Sequence, residues 1–297
     1  MRILISGSSG MVGSTLMAFL QLQGHDVIRL ARAATGDGSV FWNPSAAQLE
    51  SAPLEGFDAV IHLAGENIAD GRWTPEKKAR IRDSRVQGTR LLVERLNSLK
   101  QPPRAFLCAS AVGFYGTRGD EVLTETSAKG NGFLPDVCAE WEAAAQQAQG
   151  IRVVCLRFGI VLSRSGGALA RMAGPFKLGL GGRIGSGAQW WSWIGMDDVI
   201  GIVDFALKHD ELRGALNVVA PQAATNREFT QALGHVVGRP TPLPVPEFAA
   251  HLFIGEMADA TLLASARVQP AKLQSAGYQF QHDSLEPALR FALRKRR

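Results

Sequence analysis

The run Gly7-Ser8-Ser9-Gly10-Met11-Val12-Gly13 has the residue types and spacing to cradle a diphosphate. Gly7 permits a tight turn, Gly10 lets backbone approach a pyrophosphate, and Gly13 lets a helix pack closely on a strand. The free N–H groups and positive dipole end of the following helix would face the anion. Glycines can also serve a plain structural turn. Here Ile3–Ser6 reads as a strand and Met11–Gln23 as a helix with Leu16, Phe19 and Leu20 on one face, which favours a dinucleotide site.

The end of the second strand discriminates between dinucleotides. An acid there would accept from a ribose 2′-hydroxyl. This chain has Leu30-Ala31-Arg32, and the Arg32 guanidinium suits a 2′-phosphate that a carboxylate would repel. NADP(H) is therefore the expected cofactor, with a solvated surface arginine as the alternative. In Asp58-Ala-Val-Ile-His62-Leu63-Ala64-Gly65, the small residues after the strand would let a cofactor lie against backbone. His62, within an apolar strand, reads as a core residue.

Positioning these residues takes alternating strands and helices. Strands are expected at Ile3–Ser6, Asp26–Ala31, Ala59–Leu63, Phe106–Ala109 and Val153–Phe158. Helices are expected at Met11–Gln23, Pro75–Ser98, Asp136–Gln149 and Asp197–Lys208. Such alternation specifies an α/β fold, a Rossmann-type doubly wound parallel sheet. The glycine-rich stretch Gly166–Gly187 and Gln189-Trp190-Trp191-Ser192-Trp193-Ile194 interrupt it. The proline-rich stretch Pro240–Pro246 then divides residues 1–240, the cofactor-binding domain, from a small, mostly helical substrate-side domain at 241–297.

Bulk properties narrow the function class. The chain has 297 residues, 46% hydrophobic and 20% charged, an ordinary globular balance with material for a sizeable core. Its net charge of +5 is spread out apart from Lys77–Arg85 and the tail Arg294–Arg297. No aromatic-plus-basic stripe accompanies them, so no nucleic-acid partner is expected. The three cysteines, Cys108, Cys138 and Cys155, contain no CxxC pair, so neither disulfides nor a metal site are expected. The chain enters a strand at once and has no apolar run near the ~18–20 residues of a membrane span, so a soluble, cytoplasmic protein is expected.

Further motifs carry a resemblance. They include Gly65-Glu66-Asn67-Ile68, Ser84-Arg85-Val86-Gln87-Gly88-Thr89 and Ser110-Ala111-Val112-Gly113-Phe114-Tyr115-Gly116. Trp141-Glu142-Ala143-Ala144, Leu156–Leu162, Gly181–Gly187 and Leu216–Pro221 continue the series. With the glycine turn, these resemble the extended short-chain dehydrogenase/reductases, in the atypical branch called "epimerase family protein". Pro242 to Leu293, through Gly255-Glu256-Met257-Ala258, resembles the small domain of unknown function that ends those proteins. The resemblance implies an NADP(H) site made of Gly7, Ser9, Gly10, Met11, Val12, Gly13, Arg32, Leu63, Ala64 and Gly65. It adds Glu66, Asn67, Arg85, Ser110 and Ile160, and a small-molecule substrate for a monomer or homodimer.

The resemblance also exposes a gap. Such enzymes use a Tyr as acid/base, a Lys four residues on and a Ser that orients substrate; a phenol of pKa ~10 needs a cation to act near neutrality. The only tyrosines, Tyr115 and Tyr278, have Gly119 and His282 at that offset. Alignment on Glu142 puts Leu134 and Cys138 at the Tyr and Lys positions, alignment on Tyr115-Gly116 puts Ala111 at the serine, and Arg85 falls at a helix asparagine. Three readings stay open. One is an NADP-dependent oxidoreductase or epimerase-like enzyme with a rearranged site, in which Tyr115 and Ser110 are the catalytic candidates and Arg85 lowers the phenol pKa. The others are a regulator or sensor that binds NADP(H) without turnover, and an ordinary nucleotide-sugar epimerase. Alternation puts Trp191 and Trp193 on one side and Trp190 on the other, with at least one ring expected to line the pocket. Arg183 is either solvated or set to meet an anionic group.

Overall fold

Ile3-Leu4-Ile5 is apolar on both sides of the strand, so both faces of the sheet it enters must be covered. A computed structural model describes residues 1–32 and 38–294. The chain first forms β1 (Arg2–Ser6), α1 (Met11–Leu22), β2 (Asp26–Ala31), β3 (Val40–Asn43), β4 (Gln48–Leu49), β5 (Ala59–His62), α2 (Pro75–Asn97) and β6 (Ala105–Ala111). Then come β7 (Val122–Leu123), α3 (Phe133–Ala145), β8 (Arg152–Phe158), β9 (Ile160–Leu162), α4 (Gly167–Lys177), β10 (Trp190–Trp191), β11 (Trp193–Gly195), α5 (Met196–Lys208) and β12 (Gly214–Val218). The last part holds β13 (Ala224–Thr225), α6 (Asn226–Val237), α7 (Glu247–Ile254), α8 (Met257–Ala260), β14 (Arg267–Val268), α9 (Ala271–Ser275) and α10 (Leu285–Leu293).

The main sheet has eight strands in the order β12-β8-β6-β5-β1-β2-β3-β4. Every pairing is parallel except β3 with β4. The chain builds outward from β1 through β2 and β3, then returns to lay β5 against the other side of β1. That reversal opens a crevice at the carboxyl ends of β1 and β5, where doubly wound sheets bind their ligands.

Strand alternation divides the core between two faces. Ile3 and Ile5 pack with Leu16 and Leu20 of α1 and with Val199 and Val203 of α5. Leu4 points the other way, to a cluster with Leu92 and Leu96 of α2 and Trp141 and Ala145 of α3. Each such side chain contributes about 1.5–3 kcal/mol by leaving water, so β1 and its loop are firmly seated.

Three regions depart from the sequence reading. β3 and β4 extend the sheet where no element was expected, with Val40 and Trp42 buried and Phe41 exposed between them. Strand β3 is only four residues long and its partner two, too short for a persistent period-two signal. Helix α3 starts at Phe133 and ends at Ala145, ahead of the expected Asp136–Gln149; Pro135 sits in its first turn, where a missing N–H costs nothing. The glycine-rich stretch contains α4, with Pro175 near its end. Of the basic tail, Lys295, Arg296 and Arg297 lie outside the described residues. Among the described residues no helix is long and apolar enough to cross a membrane.

The tryptophan segment is wrapped by the carboxyl-terminal chain. Trp190 N donates to Ser265 Oγ (3.0 Å), Ala266 N to Trp190 O (3.0 Å) and Val268 N to Ser192 Oγ (2.9 Å). Trp191 and Trp193 are buried, whereas Trp190 is half-buried beneath Arg267 and donates its indole N–H to Asp120 (2.7 Å). At the other end of this region, Met257 of α8 packs with Ile81 of α2 and with Trp73 just before it, and Lys78 pairs with Glu256 (2.5 Å).

Candidate functional site

At the carboxyl end of β1 the backbone is too tight for any residue but glycine. Gly7 has φ +69°, and a methyl group there would lie 2.7 Å from the Leu63 carbonyl carbon. A methyl group on Gly13 would lie 2.2 Å from the Gly7 carbonyl oxygen. Gly10 N–H closes the turn by donating to Gly7 O (3.0 Å). Helix α1 then begins with no side-chain cap at Gly10 and no acid in its first turn. The N–H groups of Met11, Val12 and Gly13 have no carbonyl to reach within the helix, so they remain donors for an anion. Ser9 and Gly10 are exposed at the lip of this turn, and Met11 lies against Gly166 and Gly167.

The β5 end supplies the facing wall. Leu63 N donates to Ser6 O (3.3 Å) and Ala64 N to Ser6 Oγ (3.3 Å), tying the two strand ends together. His62 is fully buried between Trp42 and Phe106, with Nδ1 2.6 Å from Ser6 Oγ. Burial lowers its pKa to about 4, so the ring is neutral and structural, as its apolar strand implied.

Beyond Ala64 the loop is fixed by α2. The Arg85 guanidinium lies against Gly65, donates to Glu66 O and Ile81 O (both 3.0 Å), and stacks over Trp141 at 5.2 Å. Glu66 N donates to Ser84 Oγ (3.0 Å), and its carboxylate takes a 2.6 Å bond from the buried Lys77. That bond holds the Glu66 carboxyl below the usual carboxylate range. Asn67 is spent locally, on Asp70 and Ala69. Arg32 follows β2 directly and is exposed, while Ile160 begins β9 and pairs with Trp193.

The carboxyl end of β6 is built differently. Strand register places Ser110, Arg157 and Asn217 in one row across β6, β8 and β12. Ser110 Oγ donates to Glu142 Oε1 (2.6 Å), and Arg157 grips the same carboxylate with Nε and Nη2 (2.8 and 2.7 Å). Arg157 Nη1 donates to Tyr115 Oη (2.9 Å), which in turn donates to Asn217 Oδ1 (2.7 Å). Burial opposes the Arg157 charge, but the bonds and charge of Glu142 outweigh it and raise its pKa. Tyr115 is wholly inaccessible (0%), and burial keeps its phenol above the ordinary value despite Arg157.

This arrangement corrects one expectation. The cation at the phenol is Arg157, and Arg85 instead braces Gly65 and Glu66. Tyr115 and Ser110 do come together, through Glu142 and Arg157, but in a network that is almost wholly buried. Leu134 and Cys138 lie against Gly113, and burial pushes the Cys138 thiol up to about 11. Sequence reasoning missed Arg157, Asn217 and Lys77. A charged residue inside the apolar run Val153–Phe158 was the available signal for the first.

Comparison with known proteins agrees along the whole chain. Residues 3–219 match the NAD dependent epimerase/dehydratase family, and residues 245–292 match a domain of unknown function (DUF1731). The epimerase family protein ML0860 of Mycobacterium leprae is 40% identical over 98% of this chain and 95% of its own. The crystal structure of human epimerase family protein SDR39U1 with NADPH superposes with a TM-score of 0.92 at 35% identity, over 98% of this chain and 99% of that one. The nucleoside-diphosphate sugar epimerase from Corynebacterium glutamicum gives a TM-score of 0.82 at 37% identity, over 98% of this chain and 58% of that one. With the glycine turn, the switch-point crevice and relatives of this extent, the chain belongs to the NAD dependent epimerase/dehydratase family.

Proposed function

We propose that this chain is an NADP(H)-binding, oxidoreductase- or epimerase-like protein whose site works without the usual phenol. The observation that carries the reading is the uncapped start of α1 behind a turn that only glycine fits. Gly7, Gly10 and Gly13, with the N–H groups of Met11 and Val12, would hold the diphosphate, with Ser9 at the lip. Arg32 would pair with the 2′-phosphate, and Leu63, Ala64 and Gly65 would lie along the cofactor, backed by Arg85 and by Glu66 and Asn67 in their loop. Ser110 and Ile160 would border it on the β6 and β9 side. The bound human relative, similar along nearly its whole length, supports the same cofactor here.

When bound, the cofactor would supply hydride-transfer chemistry at its nicotinamide. The residues around it orient and shield a small-molecule substrate, with 241–297 as the substrate-side cover of the 1–240 domain, in a monomer or homodimer. Tyr115 is then a positioning residue of the β6 end.

A second reading, NADP(H) binding as a regulator without turnover, is favoured by one observation: both catalytic candidates are closed inside the Glu142–Arg157 network. Calorimetry on the whole chain should give tighter binding of NADPH than of NADH, and equal or tighter NADH binding would sink the assignment. Deuteride transfer from labelled NADPH to a carbonyl panel separates the two readings. Transfer that survives Tyr115→Phe supports an enzyme without a phenol, whereas tight NADPH binding with no transfer supports the regulator. Transfer abolished by Tyr115→Phe, in a variant that still binds NADPH, would overturn the positioning role of Tyr115.

A further inference from the structure

Away from the crevice, a cavity of about 270 Å³ is lined by Arg183, Arg227, Thr230, Gln231 and Thr241. Its two guanidiniums converge. Arg183 Nη1 donates to Gly185 O (3.1 Å) and Ser186 O (2.8 Å), and Arg227 Nη2 donates to the same Ser186 O (3.0 Å). The loop is shaped to allow this. Gly187, at φ +71°, passes between the two stems, and a methyl group there would lie 3.2 Å from Arg227 Cβ and 3.3 Å from Arg183 Cβ.

Two like charges held on one carbonyl repel unless something negative joins them. Among the described residues, no carboxylate forms an ion pair with either guanidinium. Of the acids nearby, Glu228 closes the capping box of α6 with Thr225, and Glu247, whose side chain lies against Gly185, is not among the residues that line the cavity. The first N–H groups of α6 are also taken, Asn226 N by Gln189 O, Arg227 N by Gly187 O and Glu228 N by Thr225 Oγ1, which leaves the arginine side chains as the cationic donors. The five lining residues all carry hydrogen-bond donors, and none carries a negative charge. The volume lies below the ~300–1,000 Å³ of sites for drug-sized ligands, which suits a single small anionic group.

We propose that this cavity is an oxyanion-binding site, taking a phosphate or carboxylate group between Arg183 and Arg227. Forked guanidinium donors match both oxyanions. The inference uses none of the residues of the dinucleotide turn, so either can fail without the other.

The test is calorimetric titration of the NADPH-saturated whole chain with inorganic phosphate and with acetate, against chloride at matched ionic strength. The expected result is saturable binding that weakens at least tenfold in Arg227→Gln and in Arg183→Gln, and that is unchanged in the surface control Arg90→Gln. Loss with phosphate alone assigns a phosphate site, and loss with acetate as well assigns a general oxyanion site. Arg227 is exposed, so Arg227→Gln should keep the native far-UV spectrum; Arg227→Lys, which keeps the charge without the fork, should bind with intermediate affinity. Binding no stronger than chloride, or binding undiminished in Arg227→Gln, overturns the proposal. So does phosphate bound only without NADPH and indifferent to Arg227→Gln, because that phosphate sits at the dinucleotide turn.

Discussion

The carboxyl ends of β1 and β6 lie in one sheet, yet they are finished in opposite ways. At β1 the chain ends in glycines, an uncapped helix and backbone N–H groups with nothing to bond inside the molecule. At β6 every polar group is answered: Ser110 by Glu142, Glu142 by Arg157, Arg157 by Tyr115, and Tyr115 by Asn217. Unsatisfied donors are costly in a closed interior and useful at an open one. The first end is therefore suited to a ligand and the second to stability. Holding a dinucleotide and handling a proton are separable properties of this fold.

The largest effect should come from breaking the β6 network. Glu142→Ala leaves the Arg157 guanidinium buried without its counter-charge, a change that costs about 3–5 kcal/mol. Urea unfolding should show this loss, while the NADPH affinity of the folded fraction stays near that of the parent. A variant of parental stability with weakened NADPH binding would reverse the roles assigned to the two ends.

His62 lies between the two ends and adds a pH dependence. The unfolded ring takes up a proton near 6.5, while the folded ring resists it down to about 4 because burial disfavours the charge. Its stabilisation is complete above 6.5 and is lost as pH falls toward 4, by at most about 3 kcal/mol. Urea unfolding between pH 4.5 and 7.5 should therefore show a shallower loss on acidification in His62→Gln than in the parent. Parallel curves for the two proteins would mean that His62 is not held neutral.

The two ends were also unequally legible in the sequence. The β1 turn is local: Gly7, Gly10 and Gly13 stand within one turn of chain between a clear strand and a clear helix, so type and spacing suffice. The β6 network is assembled by register. Ser110, Glu142, Arg157 and Asn217 come from four elements and meet only because β6, β8 and β12 align in parallel. Nothing in the spacing of those residues encodes that alignment, so Arg85, near in motif, was assigned the role that Arg157 fills. The tryptophan segment lies between these cases. Alternation grouped Trp191 with Trp193 and set Trp190 apart, but did not show the carboxyl-terminal chain that bonds to Trp190 and Trp191.

The smallest expected effect sharpens the β1 end alone. Arg32 is exposed at the end of β2, so its charge is partly screened and its pairing with a 2′-phosphate should be modest. A charge-assisted bond of this kind is worth about 1.5 kcal/mol, or roughly tenfold in affinity. Arg32→Ala should therefore weaken NADPH binding about tenfold, leave NADH binding unchanged and leave unfolding by urea unchanged. Raising the salt concentration should shrink the difference, because an exposed pair is screened. Equal losses for NADPH and NADH would remove Arg32 as the basis of dinucleotide choice. Arg85 braces Gly65 from within, and its loss should disturb both cofactors alike.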